Sequence, residues 1–202
     1  MDHLPFIIAQ SRGSEGFMLH GGTVDVSSGQ YNPEIAYNCV NGRIFNHLLA
    51  VSVVLSNHNE GDGGFVIVRG SHKSNFAAPP EMVDGIGPGN EFIYQPVSQA
   101  GDVILFSEGT VHGAKPWTAE HERRVALYRF APATSSYGRS CHPSWPSAML
   151  EHLTERQRAV LEPAYATRLD RPLLTADGSI EVSSRSEAKK SFDREVFGTQ
   201  YF

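Results

Sequence analysis

The first two-thirds of the sequence is cut into short apolar runs, none longer than nine residues: LPFIIAQ (4–10), GFMLHGG (16–22), HLLAVSVVL (47–55), GFVIVRG (64–70), EFIYQPV (91–97), GDVILFS (101–107) and RVALYRFAP (124–132). They are rich in Val, Ile, Phe and Tyr and bounded by Gly, Asn, Asp or Pro, which is the pattern of strands. Seven strands of this kind predict a mainly β protein, a sandwich or a barrel. Several runs are apolar at nearly every position, as expected where both faces of a strand are covered.

After Pro132 the composition changes. ATSSYGRSCHPSWPS (133–147) is loop-like, and AMLEHLTERQRAVLEPAY (148–165) carries apolar residues among charges, which predicts one amphipathic C-terminal helix, recapped at Thr154 and ended near Pro163. The segment from 175 to 202 is polar and mixed in charge, and a loosely held extension is expected there. The expected organisation is therefore a β domain over 1–132, a loop and helix packed on it over 133–174, and the extension over 175–202. A chain of 202 residues, 40% of them hydrophobic, is long enough for one sizeable core.

Charge and cysteine usage narrow the class of partner. Seventeen basic residues against 22 acidic ones, spread along the chain, argue against a nucleic-acid or anionic-membrane surface and favour a small-molecule partner. Cys39 and Cys141 lie far apart in no metal-binding spacing, so neither a disulfide framework nor a thiolate zinc site is expected. With no apolar run near the roughly 18 residues of a membrane span and no leader-like start, a cytoplasmic protein is expected. The oligomeric state is open.

Nine histidines are present. His3, His121, His142 and His152 sit in polar contexts and are expected to be solvent-exposed. His112, in GDVILFSEGTVHGAKPW, follows an apolar strand and precedes Gly113, where a side chain can be aimed into a barrel mouth. Arg123 and Arg124 follow it by eleven and twelve positions at the start of the next strand. A hairpin would bring imidazole and guanidinium to one cavity, where the planar fork of arginine suits a carboxylate. Strand alternation allows only one of the two arginines to face inward. The bland alternative is a pair of surface arginines flanking a hairpin.

The block NEGDGGFVIVRGSHKSNF, then GDVILFSEGTVHG, then HERRVALYRFAP resembles the phytanoyl-CoA dioxygenase family of iron(II)- and 2-oxoglutarate-dependent oxygenases, over about residues 41–132. The resemblance implies a double-stranded β-helix, the jelly-roll or cupin-like architecture. It also implies His112 as the distal iron ligand and Arg123 as the partner of the 2-oxoglutarate carboxylate, with O₂ as co-substrate, succinate and CO₂ as products and a small aliphatic or acyl substrate hydroxylated. In such a family the Gly-Ser-His-Lys corner ends a strand, so His72 is expected to brace backbone and Lys73 to be a surface or entrance charge. Arg69 stands where the family usually has proline. The family normally has a helical segment before its first barrel strand, so either this is a short natural form or an N-terminal part is absent.

One expected element is missing. The family's first histidine and its carboxylate come as His-x-Asp, and no His-x-Asp occurs here. His20 lies at the end of an early apolar strand in the order of the first ligand, but its +2 neighbour is Gly22. The third ligand is then Asp25, the nearest carboxylate, or Glu34, or none; an empty position resembles the iron halogenases, where a small residue leaves room for chloride. His58 and Glu60 form the other His-x-carboxylate pair, within a Gly-rich turn. A rival from another class is a catalytically silent jelly-roll that binds a ligand or partner without turnover. A third is a metal-binding cupin-like isomerase or hydrolase, which would not need Arg123.

Overall fold

The computed structural model describes residues 1–83, 90–132, 134–137, 145–161, 173–174, 176–181 and 186–198, and the chain divides into two compact units, Met1–Ala164 and Tyr165–Phe202. Among the described residues the first unit is built on ten strands: β1 (His3–Gln10), β2 (Phe17–His20), β3 (Asn38–Val40), β4 (Arg43–Phe45), β5 (Leu49–Val54), β6 (Gly64–Val68), β7 (Ile93–Tyr94), β8 (Val103–Ser107), β9 (His112–Lys115) and β10 (Arg123–Phe130). Eight of them form two four-stranded antiparallel sheets, ordered β1-β10-β5-β8 and β2-β9-β6-β7. This is the mainly β double-stranded β-helix expected from the sequence.

The alternation within the strands explains what each buries. In β5, Ala50, Ser52 and Val54 are buried while Leu49, Val51 and Val53 are half-buried. In β6, Val66 and Val68 join Leu19 and Val111 in an apolar cluster covered by Ala78, Met82 and Ile93, while Phe65 on the opposite face lines the space between the sheets. A strand covered on both faces has no polar position to alternate with, which is why GFVIVRG reads as a continuous apolar run. Trp117, Leu48, Val54 and Val125 are the largest fully buried side chains. Each contributes roughly 1.5–3 kcal/mol relative to exposure, Trp117 more.

Two expectations are corrected. EFIYQPV gives only the two residues of β7, preceded by a 3₁₀ turn over Asn90–Phe92. Beyond Tyr94, Gln95 uses its side chain to hydrogen-bond the Asn59 carbonyl at 3.0 Å, and Pro96 has no N–H to continue a ladder. After a short helix α1 (Pro80–Val83), the single helix expected over 148–165 is two, α2 (Ser147–Leu150) and α3 (Glu155–Leu161). Thr154 restarts the second: its Oγ1 accepts from the Gln157 N–H at 3.3 Å while Gln157 Oε1 accepts from the Thr154 N–H at 2.9 Å, a reciprocal capping box. The expected end near Pro163 lies outside the described residues. In the second unit β11 (Leu173–Leu174) pairs with β12 (Ile180–Glu181), and the stretch from 175 carries β12 and a helix α4 (Glu187–Phe197). Among the described residues no helix is long and apolar enough to cross a membrane.

Candidate functional site

The inner faces of the two sheets enclose a cavity of about 450 Å³. Strand β10 contributes every second residue, Arg123, Val125, Leu127 and Arg129, and the other sheet contributes Phe17, His20, Phe65, His112 and Ala114. His20 and His112 are register partners on β2 and β9, their ring centroids 4.2 Å apart. Phe106 stands 4.8 Å from the His112 ring and 4.9 Å from Phe65, so aromatic carbon walls the histidines on one side.

Both imidazoles are oriented by their own backbones. His20 Nδ1 donates to the Met18 carbonyl at 3.0 Å and His112 Nδ1 to the Thr110 carbonyl at 2.7 Å. A carbonyl can only accept, so Nδ1 carries the hydrogen in each ring and Nε2 is left as the nitrogen able to take a metal. Burial, reinforced by the neighbouring His20, lowers the His112 pKa to about 4. A neutral imidazole is the form a metal requires.

The turn that ends β2 cannot carry larger residues. A Cβ on Gly21 (φ +80°) would meet the Thr110 and Glu108 carbonyl oxygens at 2.8 and 2.9 Å, and one on Gly22 (φ +89°) would meet Val111 Cγ2 at 3.0 Å. The position two beyond His20, where a His-x-Asp carboxylate would stand, is therefore pressed against the 108–111 turn and holds no donor.

Arg123 lies in the same cavity, 4% exposed. Its guanidinium donates to Gln10 Oε1 at 2.7 Å, and its buried Nε has no hydrogen-bond partner. Burial lowers its pKa to about 10, so it stays charged at neutral pH. Gly64 makes the space: a Cβ there would stand 2.8 Å from Arg123 Nε and 3.0 Å from its Cδ. Because Gly64 pairs with Lys115, and Lys115 is three residues along β9 from His112, the guanidinium lies about 10 Å along the strand from the histidines. Arg124 points the other way, exposed and paired with Glu122. The expected hairpin is not what brings Arg123 and His112 together. β5 separates β10 from β8, and His112 belongs to β9 in the opposite sheet, so the two face one another across the cavity.

Asp25 does not join them, which corrects its expected place as third ligand. Its Oδ1 accepts from the backbone N–H groups of Ser27 and Ser28 at 3.1 and 2.7 Å and from both hydroxyls. Those bonds, the Ser27 hydroxyl first, hold its pKa at about 2, and its carboxylate closes a surface turn. Glu34 and Glu60 are exposed. His58 is buried away from the cavity lining, 5.5 Å from the Trp117 ring, with an unpartnered Nε2. Burial, and then the charge of Arg123, lower its pKa to about 4. Among the described residues no three His, Cys, Asp or Glu side chains are close enough to hold a metal ion as they stand.

At the Gly-Ser-His-Lys corner the bracing residue is Ser71, not His72. Ser71 Oγ donates to the Val68 carbonyl at 2.7 Å and accepts from the Val111 N–H at 2.8 Å, tying the end of β6 to the residue before His112. His72 is half-buried with its ring edge-on to Tyr37 at 5.5 Å, and Lys73 is exposed. His121 and His152 are exposed as expected; His142 lies outside the described residues.

Residues 30–125 match the sequence family described as Phytanoyl-CoA dioxygenase (PhyH). Over this stretch the chain is similar to the phytanoyl-CoA dioxygenase family. Its matched span takes in β3 to β9, His112 and Arg123, while His20 and β2 lie just before it. Among solved structures, HygX from Streptomyces hygroscopicus with nickel and 2-oxoglutarate bound aligns over 67% of this chain and 57% of its own, at 24% identity and a TM-score of 0.58. The iron-bound form of HygX aligns over 67% and 59%, at 23% identity and 0.58. The form with nickel, 2-oxoglutarate and hygromycin B aligns over 67% and 57%, at 23% identity and 0.57. These likenesses show the shared fold, and the chain spans under two-thirds of the length of those structures. No curated protein matches the chain.

Proposed function

We propose that the protein is an iron(II)- and 2-oxoglutarate-dependent oxygenase that hydroxylates a small aliphatic or acyl substrate, releasing succinate and CO₂. The observation that carries this is the pairing in one cavity of His20 and His112, both with Nε2 set for a metal, with a buried guanidinium whose Nε lacks a partner. A structural arginine is not left with an orphaned buried donor without cost, roughly 1–3 kcal/mol, so a carboxylate from outside the chain fits there. The iron and 2-oxoglutarate seen in HygX support the same ligands here, and its hygromycin B supports a small-molecule partner.

In this role His20 and His112 hold the metal through Nε2, and Arg123, aligned by Gln10, binds the far carboxylate of 2-oxoglutarate. When bound, iron(II) with 2-oxoglutarate and O₂ supplies the oxidising chemistry that breaks a C–H bond. Phe6, Ile8, Phe65 and Phe106 supply apolar lining that excludes water and suits an aliphatic group.

Among the described residues no third donor stands within bonding reach of a metal at the two histidines as they lie, which favours the second reading, a silent jelly-roll that binds without turnover. Oxygen-dependent formation of succinate from 2-oxoglutarate by the iron-loaded protein without added substrate decides between them. Succinate above the no-protein control, lost in His112→Ala, supports the oxygenase; its absence from folded protein with and without candidate substrates supports the silent barrel.

A further inference from the structure

We propose that Glu108 is the carboxylate that completes the metal site with His20 and His112. The proposal rests on the oxygenase reading and adds to it the identity of the third ligand.

Glu108 lies four residues before His112 on the turn from β8 to β9 and is 9% exposed. Its Oε2 stands 3.8 Å from His112 Nε2. The Thr110 carbonyl takes the hydrogen of Nδ1, so that Nε2 offers a lone pair, and the carboxylate oxygen facing it offers another. Two buried acceptors directed at one another repel unless a proton or a metal cation lies between them. Two ligands in adjacent positions on one metal are about 3 Å apart, given bonds of about 2.1 Å. Less than 1 Å of movement by a flexible side chain closes that difference.

The other carboxylates are excluded by position. Gly22 has no donor, Asp25 is bound to its serines, and Glu34 and Glu60 are exposed. Glu15 borders the cavity, but the pairing of Phe17 with Ala114 puts it beyond Ala114, at the Arg123 end, and its carbonyl receives the Gln10 amide. By contrast the Glu108 turn is held against the histidines. The backbone of Gly21 packs directly on the Glu108 and Thr110 carbonyls, and Ser71 fixes the Val111 N–H.

Arg129, a residue of the cavity lining, binds the other oxygen, Oε1. It orients the buried carboxylate, as partners behind metal ligands do. The bland alternative is a buried Glu108–Arg129 ion pair that only holds β10 to the β8–β9 turn.

The test is the affinity of the metal-free protein for Co(II), read from its visible absorption, in wild type, Glu108→Gln, Glu108→Ala and Asp25→Asn. Glu108→Gln is expected to weaken binding at least tenfold and to change the spectrum, and Asp25→Asn to stay within twofold. Formate, a free carboxylate, is expected to restore much of the Glu108→Ala loss, which a purely structural ion pair would not allow. If Glu108→Gln does not fold, Glu108→Asp keeps the charge near Arg129 and is expected to show the loss through its shorter reach. Co(II) binding within twofold of wild type in the folded Glu108 variant, with His112→Ala abolishing it, overturns the Glu108 assignment alone. Absence of Co(II) binding by the wild type overturns the oxygenase reading with it.

Discussion

His20 and His112 meet as register partners on neighbouring strands, yet they are separated by 92 positions of sequence and by six intervening strands. The pair exists because β9 lies between β2 and β6 in one sheet, a non-local arrangement that only the jelly-roll winding supplies. Across the cavity from it, β10 aims Arg123 inward and Arg124 outward.

That alternation predicts a contrast between adjacent residues. Arg123→Gln should raise the Kd for 2-oxoglutarate at least tenfold in the metal-loaded protein, because it removes a charged, potentially bidentate donor from a buried site. Arg124→Gln should leave it within twofold. Isothermal titration of both variants checks this, and equal effects would contradict the inward assignment of Arg123.

Gly64→Ala should cost roughly 2–4 kcal/mol and also weaken 2-oxoglutarate binding. The φ of +77° is unfavourable to any side chain, and the added methyl group would overlap Arg123 at 2.8 Å. Gly61, at φ +85° with open space around it, isolates the backbone part, about 1–2 kcal/mol. Urea unfolding of the two variants separates them.

Ser71→Ala should destabilise by about 1–3 kcal/mol, since it leaves the Val111 N–H and the Val68 carbonyl without their buried partner. Because Val111 precedes His112, metal affinity should fall as well. His72→Ala should change metal affinity less than Ser71→Ala does. A larger loss on replacing His72 would reverse the assignment of the brace.

Low pH should destabilise the metal-free fold through His58. Its pKa is about 4 in the folded state, lowered by burial and by Arg123, against roughly 6.5 when unfolded. Between those values the unfolded chain binds a proton that the folded one refuses, so stability falls as pH drops from about 6.5 to about 4. His112 shifts in the same direction. Unfolding free energies measured across this interval should fall less in His58→Gln than in wild type. Parallel curves would remove His58 from the account.

The strands were legible because Val, Ile and Phe runs between glycines have few alternatives, and six of the seven runs became strands of four residues or more. β9 was not legible: HGAK is four residues with a glycine, and only its partners β2 and β6 make it a strand. The β3–β4 hairpin leaves no apolar run in the sequence despite its Asn41-Gly42 turn, because its strands are three residues long and exposed. His20, His112 and Arg123 could be selected by order along the chain. Glu108 and Arg129 could not, since each is a single charge at the end of an apolar run; counting in twos from Arg123 reaches Arg129, but nothing local shows that Glu108 turns toward His112. The helix α4 was hidden in a polar stretch where Phe192 and Val196 are half exposed.

The central claim, one cavity that holds a metal at the histidines and a carboxylate at Arg123, is tested most directly by an anaerobic titration with iron(II) followed by 2-oxoglutarate. The weak visible charge-transfer band of a chelated iron–oxoacid complex should appear at one equivalent and be lost in His112→Ala and Arg123→Ala. Folded wild-type protein that gives no band, or a band that survives both substitutions, would contradict it.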